Sequence, residues 1–158
     1  MNNNKKKLFE LFHKIDVEFI NENKTSKKRG FHVNIEKETV NNDNFRKVLY
    51  TATNLQLVLM SLKPKEEIGL ETHPDIDQFF RFEGGIGKCI INNTEYNVKD
   101  GDSIIIPAGS KHNVINTGNE DLKMYTIYAP PHHKDKTIHK TKGDAENSNE
   151  EFDGKTTE

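Results

Sequence analysis

Apolar residues change their period partway along this chain. Leu8, Phe9, Leu11, Phe12, Ile15, Phe19 and Ile20 recur at helical spacing, which predicts an amphipathic helix over about Leu8–Asn21. Asn23–Gly30 is polar and basic, the pattern of a solvated loop. Phe31–Asn44 carries neither period clearly and is expected as an extended arm ending in a turn at Asn41-Asn42-Asp43-Asn44. From Phe45 the pattern is that of strands. Short runs rich in Val, Ile, Leu, Phe and Tyr predict strands at Lys47–Thr51, Leu55–Leu62, Gly69–His73, Gln78–Phe82, Gly87–Ile91, Glu95–Val98, Ser103–Ile106, His112–Ile115 and Leu122–Tyr128. Turn chemistry separates them, at Pro74-Asp75, Gly84-Gly85, Asn92-Asn93, Asp100-Gly101, Pro107-Ala108-Gly109 and Thr117-Gly118-Asn119. Many short strands at this spacing argue for an all-β fold, a barrel or a sandwich.

After Tyr128 the pattern fades. Ala129-Pro130-Pro131 leads into His132 and His133, then into a polar tail whose large apolar residue after Lys140 is Phe152. Such a segment buries too little surface to offset its ordering entropy, so disorder is expected. The chain thus divides into 1–45 (helix and arm), 46–130 (β-barrel) and 131–158 (histidine-bearing segment and acidic tail).

Composition narrows the function. The 158 residues fit one principal domain, and a formal charge of −2 offers no electrostatic case for nucleic acid or a membrane surface. Cys89 is the single cysteine, so no intrachain disulfide forms. No run approaches the about 20 apolar residues that span a bilayer, and acids interrupt the start as a signal peptide. A cytoplasmic protein is the expectation, with the amphipathic helix packed on the barrel or pairing two subunits in a homodimer.

One constellation carries chemistry. Glu71 and His73 are two apart on a predicted strand and therefore face the same way. Turned inward without partners, they would cost several kcal/mol. A cation held by both removes that cost. Gln78 opens the next strand, and His112 follows the Pro107-Ala108-Gly109 turn on a strand that can lie alongside. Two imidazole nitrogens with carboxylate and amide oxygens suit one divalent ion of Zn, Mn, Fe, Ni or Co. In an octahedral site those ligands leave two open positions for a substrate or water. Glu71 is also the candidate catalytic proton acceptor if it is not a ligand. Asp75 or Asp77 offers an alternative to Glu71 or Gln78 as a ligand. His132, His133 and His139 form a further patch that the two prolines can fold over the barrel mouth.

The spacing Gly101-x5-Pro107-x-Gly109-x2-His112-x3-Asn116 resembles the second conserved motif of the cupin superfamily at each defined position. The first cupin motif, Gly-x5-His-x-His-x(3,4)-Glu-x6-Gly, is similar to Lys65-x5-Glu71-x-His73-x4-Gln78-x6-Gly85, with spacing kept and residues partly changed. The resemblance covers roughly Arg46 to Tyr128. It implies a jelly-roll barrel binding one metal ion through Glu71, His73, Gln78 and His112. The mixture of ligands is similar in kind to that of phosphomannose isomerases, which are also cupins, and hints at sugars. Two functions follow as expectations: a metal-dependent cupin acting on a small polar or carbohydrate-like substrate, by isomerase, epimerase or dioxygenase chemistry, or a non-catalytic module that captures a small ligand or supports assembly.

Overall fold

The computed structural model describes residues 28–158, so the helix expected over Leu8–Asn21 lies outside the described residues. Residues Phe31–Thr157 form one compact unit. Its elements are α1 (Ile35–Val40), β1 (Arg46–Thr51), β2 (Gln56–Leu62), β3 (Asp77–Gly84), β4 (Ile86–Ile91), β5 (Thr94–Lys99), β6 (Ser103–Ile106), β7 (His112–Asn116), β8 (Leu122–Ala129), β9 (Ile138–His139) and α2 (Lys142–Glu146). The strands form two antiparallel sheets, a six-stranded one in the order β6-β3-β8-β2-β1-β9 and a three-stranded one in the order β5-β4-β7.

Strand alternation builds the core between the sheets. Val58, Met60 and Leu62 of β2, Phe80 and Phe82 of β3, and Leu122, Met124 and Tyr128 of β8 point inward from the larger sheet. Cys89, Val98 and Val114 meet them from the smaller one. Phe80 and Phe82 are completely buried, and each contributes about 1.5–3 kcal/mol by that burial. On β2 the alternate residue Leu59 is equally buried, because α1 packs against the outer face of β2, β3 and β8. Cys89 lies in the core, where burial pushes its thiol up to about 11, so it behaves as a small apolar residue.

The structure departs from expectation in three places. Within Phe31–Asn44 it forms a helix, α1, started by the Asn34 side chain accepting from the Lys37 amide at 3.0 Å. Glu36 and Glu38 in the first turn favour the same end. Capping, rather than periodicity, sets this element. Gly69–His73 is not a continuous strand: Gly69 takes φ +101°, its amide turns to the Asn113 side chain at 3.2 Å, and the segment meets β7 through the isolated bridges Glu67↔Ile115 and Glu71↔His112.

The third departure is the tail. Residues 131–157 lie on the barrel as ordered chain instead of dispersing. Gln56, fully buried on β2, donates from Nε2 to the His133 carbonyl at 2.6 Å and to Thr51 Oγ1 at 2.9 Å. Its Oε1 accepts from the amides of His133 at 2.9 Å and His132 at 3.3 Å. Beyond it, β9 pairs with Arg46 and Lys47 of β1. A capping box between Thr141 and Asp144 starts α2. Polar docking thus supplies the order that apolar content does not.

Candidate metal and ligand site

Two features of local sequence bring Glu71 and His112 together. They face each other across an isolated antiparallel bridge, each amide donating to the other's carbonyl at 2.9 Å. The turn at Pro107-Ala108-Gly109 then reaches back, and the Gly109 amide donates to the His73 carbonyl at 2.7 Å. Gly109 takes φ +77° there, a conformation that favours glycine.

The result is a cluster in which one ligand atom from each of Glu71, His73 and His112 lies within 4.8 Å of the others. Glu71 Oε2 is 3.4 Å from His73 Nε2 and 3.9 Å from His112 Nε2. Ligands about 2.1 Å from a shared ion would sit about 3–4 Å apart, so these separations fit one cation. The ring of His112 is fixed by its Nδ1, 3.0 Å from the Ser110 carbonyl. A carbonyl only accepts, so Nδ1 carries the proton and Nε2 presents its lone pair to the cluster.

Atoms of the predicted ligands are left unsatisfied. His73 Nε2, His112 Nε2 and Gln78 Oε1 are buried without a hydrogen-bond partner. Gln78 is almost fully buried on β3, its Nε2 donating to Thr126 Oγ1 at 3.1 Å, which leaves its oxygen as the free end. Buried polar atoms are rarely left unpaired, and these are donor types that bind divalent metals. Burial lowers the pKa of His112, only partly offset by Ser110 and Glu71, which keeps the imidazole neutral and able to ligate. For Glu71, burial raises the pKa, but the His73 contact and the Arg46 charge outweigh it and hold the carboxyl below its usual range. Asp75 and Asp77 are exposed, and Asp77 Oδ1 accepts from the Ala108 amide at 2.9 Å. The alternative ligand set therefore gains no support from their placement.

The histidine patch divides. The rings of His132 and His73 are 4.5 Å apart, and His132 also stacks on Tyr128 at 5.5 Å. Its pKa is pushed down to about 4, by burial and then by the neighbouring His133. His133 Nδ1 meets Glu150 Oε1 at 2.9 Å. His139 sits on β9, opposite Arg46. A cavity of about 240 Å³ opens beside the cluster, walled by Arg46, Ile68, Glu71, His132, His133 and Glu150 among others. Glu71 belongs to both cluster and cavity. Phe80 and Phe82, on the same side of β3 as Gln78, belong to the core, because that strand face turns toward the opposing sheet.

Sequence reasoning did not bring Arg46 or Glu150 to the site. Arg46 had a usable signal: it shares the inward phase of β1 with Val48, an unusual place for a charge. Glu150 had none, since it arrives from the tail. Asn116, the last position of the second motif, closes the barrel: its amide donates to the carbonyls of Leu62 at 2.8 Å and Glu120 at 2.7 Å.

Comparison with known proteins agrees with this architecture. Residues 58–128 match a family model described as a cupin domain. The chain is 50% identical over 123 residues to the uncharacterized protein YrkC of Bacillus subtilis, covering 74% of this chain and 66% of YrkC. It is 47% identical over 105 residues to the uncharacterized protein L612 of Acanthamoeba polyphaga mimivirus, covering 64% of this chain and 66% of L612. The chain therefore spans just under two thirds of the length of either relative. The crystal structure of BH2720 from Bacillus halodurans superposes with a TM-score of 0.75 at 46% identity, covering 78% of this chain and 98% of that one.

Proposed function

We propose, from the premise that this chain belongs to the cupin superfamily, that it holds one divalent metal ion through Glu71, His73, Gln78 and His112. The ion would face a small polar ligand in the adjoining cavity. The observation that carries the reading is the pair of unpaired buried nitrogens, His73 Nε2 and His112 Nε2, beside the Glu71 carboxylate; Gln78 Oε1, also buried and unpaired, is the proposed fourth donor. Zn, Mn, Fe, Ni and Co all suit that mixture of nitrogen and oxygen donors.

When bound, such an ion supplies Lewis-acid polarisation of a ligand oxygen. The chain's own residues do the rest. Ser110 fixes the His112 ring, Thr126 fixes the Gln78 amide, and the backbone bridge fixes Glu71 against His112. His132 packs on His73 and narrows access of water to the cluster. Glu71, kept ionised, can take a proton from a ligand hydroxyl when its oxygen is not coordinated. These features support a carbohydrate-like or other small oxygen-rich ligand. A second reading, capture of a ligand without turnover, is favoured by one observation: in the first motif the expected histidine and glutamate are replaced by Glu71 and Gln78.

Elemental analysis tests the metal assignment. Protein grown with each of the five metals in turn should retain about one ion per chain, and the His73→Ala/His112→Ala double variant should retain essentially none while still folding. A wild-type protein with no stoichiometric metal under any supplement would remove the basis of this reading.

A further inference from the structure

Arg46 helps hold Glu71 and Glu150 ionised by its charge, but it acts at a distance, through no ion pair among the described residues. It begins β1 pointing inward, is 9% exposed, and its Nε is buried without a hydrogen-bond partner. Among the described residues its side chain makes one contact of note, over the Phe45 ring at 5.6 Å. That contact orients the guanidinium without satisfying its N–H groups.

The nearby carboxylates are committed elsewhere. Glu150 spends Oε1 on His133 Nδ1 at 2.9 Å and Oε2 on the Lys134 amide at 2.8 Å. Glu71 Oε2 faces His73 and His112. Arg46, Glu71 and Glu150 nonetheless share the wall of one cavity, together with His132 and His133. Lys142 and Glu146 on the same wall pair with each other at 3.7 Å, which leaves Arg46 as the cation of the wall without an ion pair; a divalent ion balancing Glu71 and Glu150 would make the wall net positive. At about 240 Å³ the cavity is smaller than the roughly 300–1,000 Å³ of drug-sized sites, which limits the occupant to a small molecule.

We propose that Arg46 is the anion-recognition residue of this cavity, and that the ligand is a small molecule bearing an oxyanion, a carboxylate or a phosphate. The planar guanidinium fork matches either group. The oxyanion would rest on Arg46 while the remainder of the ligand reaches toward Glu71. For that far end the inference rests on the metal reading above; recognition by Arg46 itself does not require the ion.

The test is calorimetric titration with malonate, inorganic phosphate and uncharged malonamide at constant ionic strength. Wild type, Arg46→Gln and Arg46→Lys are compared, each as metal-loaded and as chelator-treated protein, with metal content and melting curve recorded for all. Wild type should bind at least one of the anions, and the preferred anion tells carboxylate from phosphate. Arg46→Gln should weaken that binding about ten- to a hundredfold. Arg46→Lys should fall between, since it restores charge without the fork, and malonamide should be indifferent to both substitutions. The inference is overturned if wild type binds neither anion, or if folded Arg46→Gln binds them as wild type does. Should Arg46→Gln fail to fold, Arg46→Lys decides, and affinity unchanged from wild type overturns the inference. Arg46-dependent anion binding in protein that never holds metal refutes the metal reading alone; stoichiometric metal without Arg46-dependent binding refutes this inference alone.

Discussion

Gln56 offers a sharp test of how the C-terminal segment is held. Gln56→Met keeps the length and flexibility of the side chain but removes its donors and its acceptor. The amide and carbonyl of His133 would both lose their Gln56 partner, and the Thr51 hydroxyl and His132 amide would each lose a bond. A buried polar group left unpaired costs about 1–3 kcal/mol, so holding the two His133 groups in place would cost about 2–6 kcal/mol. The chain has another route. Residues from His132 onward can lift, exposing those groups to water and giving up the pairing of β9 and the backbone bonds that tie the tail to Phe45, Val48 and Thr51. Lifting costs little apolar burial, so it competes well with a strained closed state. A shift of about 2 kcal/mol raises the open population roughly thirtyfold. Hydrogen exchange read by mass spectrometry should therefore quicken at least about tenfold over 131–158, while peptides from β2, β3 and β8 keep their protection. Unchanged protection in 131–158 would refute the reasoning. So would loss of protection in the barrel strands in step with the tail, which would make Gln56 a support of the core instead.

Two further outcomes can be checked directly. Gly85 takes φ +81°, and a Cβ there would lie 2.5 Å from the Asp121 carbonyl oxygen, so Gly85→Ala should lose about 3 kcal/mol in a denaturant titration; a loss under about 1 kcal/mol would contradict the account. Acid should destabilise the metal-free protein in two stages. Burial, with His133 as a second cause, sets the folded pKa of His132 at about 4, and burial lowers that of His133. Below the ordinary imidazole value of about 6.5 the unfolded chain therefore takes up protons that the folded one refuses, and stability falls until the folded pKa is reached. Glu71 and Glu150 have folded pKa values below the usual carboxylate range, so their contribution is present above the unfolded value and is lost as pH falls through the folded one. Melting temperature should decline steadily from pH 7 to pH 4, and a profile flat between pH 7 and pH 5 would count against the assigned burial of the histidines.

The parts of this structure that a sequence announces are those governed by local rules. The strand at Ser103–Ile106 is observed with its predicted ends, and the other strands of the barrel differ by a few residues at most, because alternation and turn residues act within a few positions. The cluster of Glu71, His73 and His112 was legible for the same reason: motif spacing encodes which residues a bridge and a turn bring face to face. What escaped depends on distant partners. Glu150 reaches His133 only because Gln56, on β2, seizes the backbone of His132 and His133. Arg46 acquires its meaning from a cavity whose walls come from β1, the segment between β2 and β3, and the tail. Low apolar content argued for a disordered tail, and that argument omits what a single fully bonded amide and a capping box can do.

The docked tail has a second consequence, for the margin of the larger sheet. Beside β1 run Ile138 and His139, opposite Lys47 and Arg46, and the Val48 amide donates to the Thr137 carbonyl at 2.8 Å. Further on, Thr51 and Thr157 exchange bonds at 2.8 and 2.9 Å. These peptide groups would otherwise form an open row, ready to recruit a foreign strand. A protease that clipped the chain near Pro131 would strip that cover and breach the cavity wall in one cut. Ligand loss and self-association should then arrive together, as a single failure.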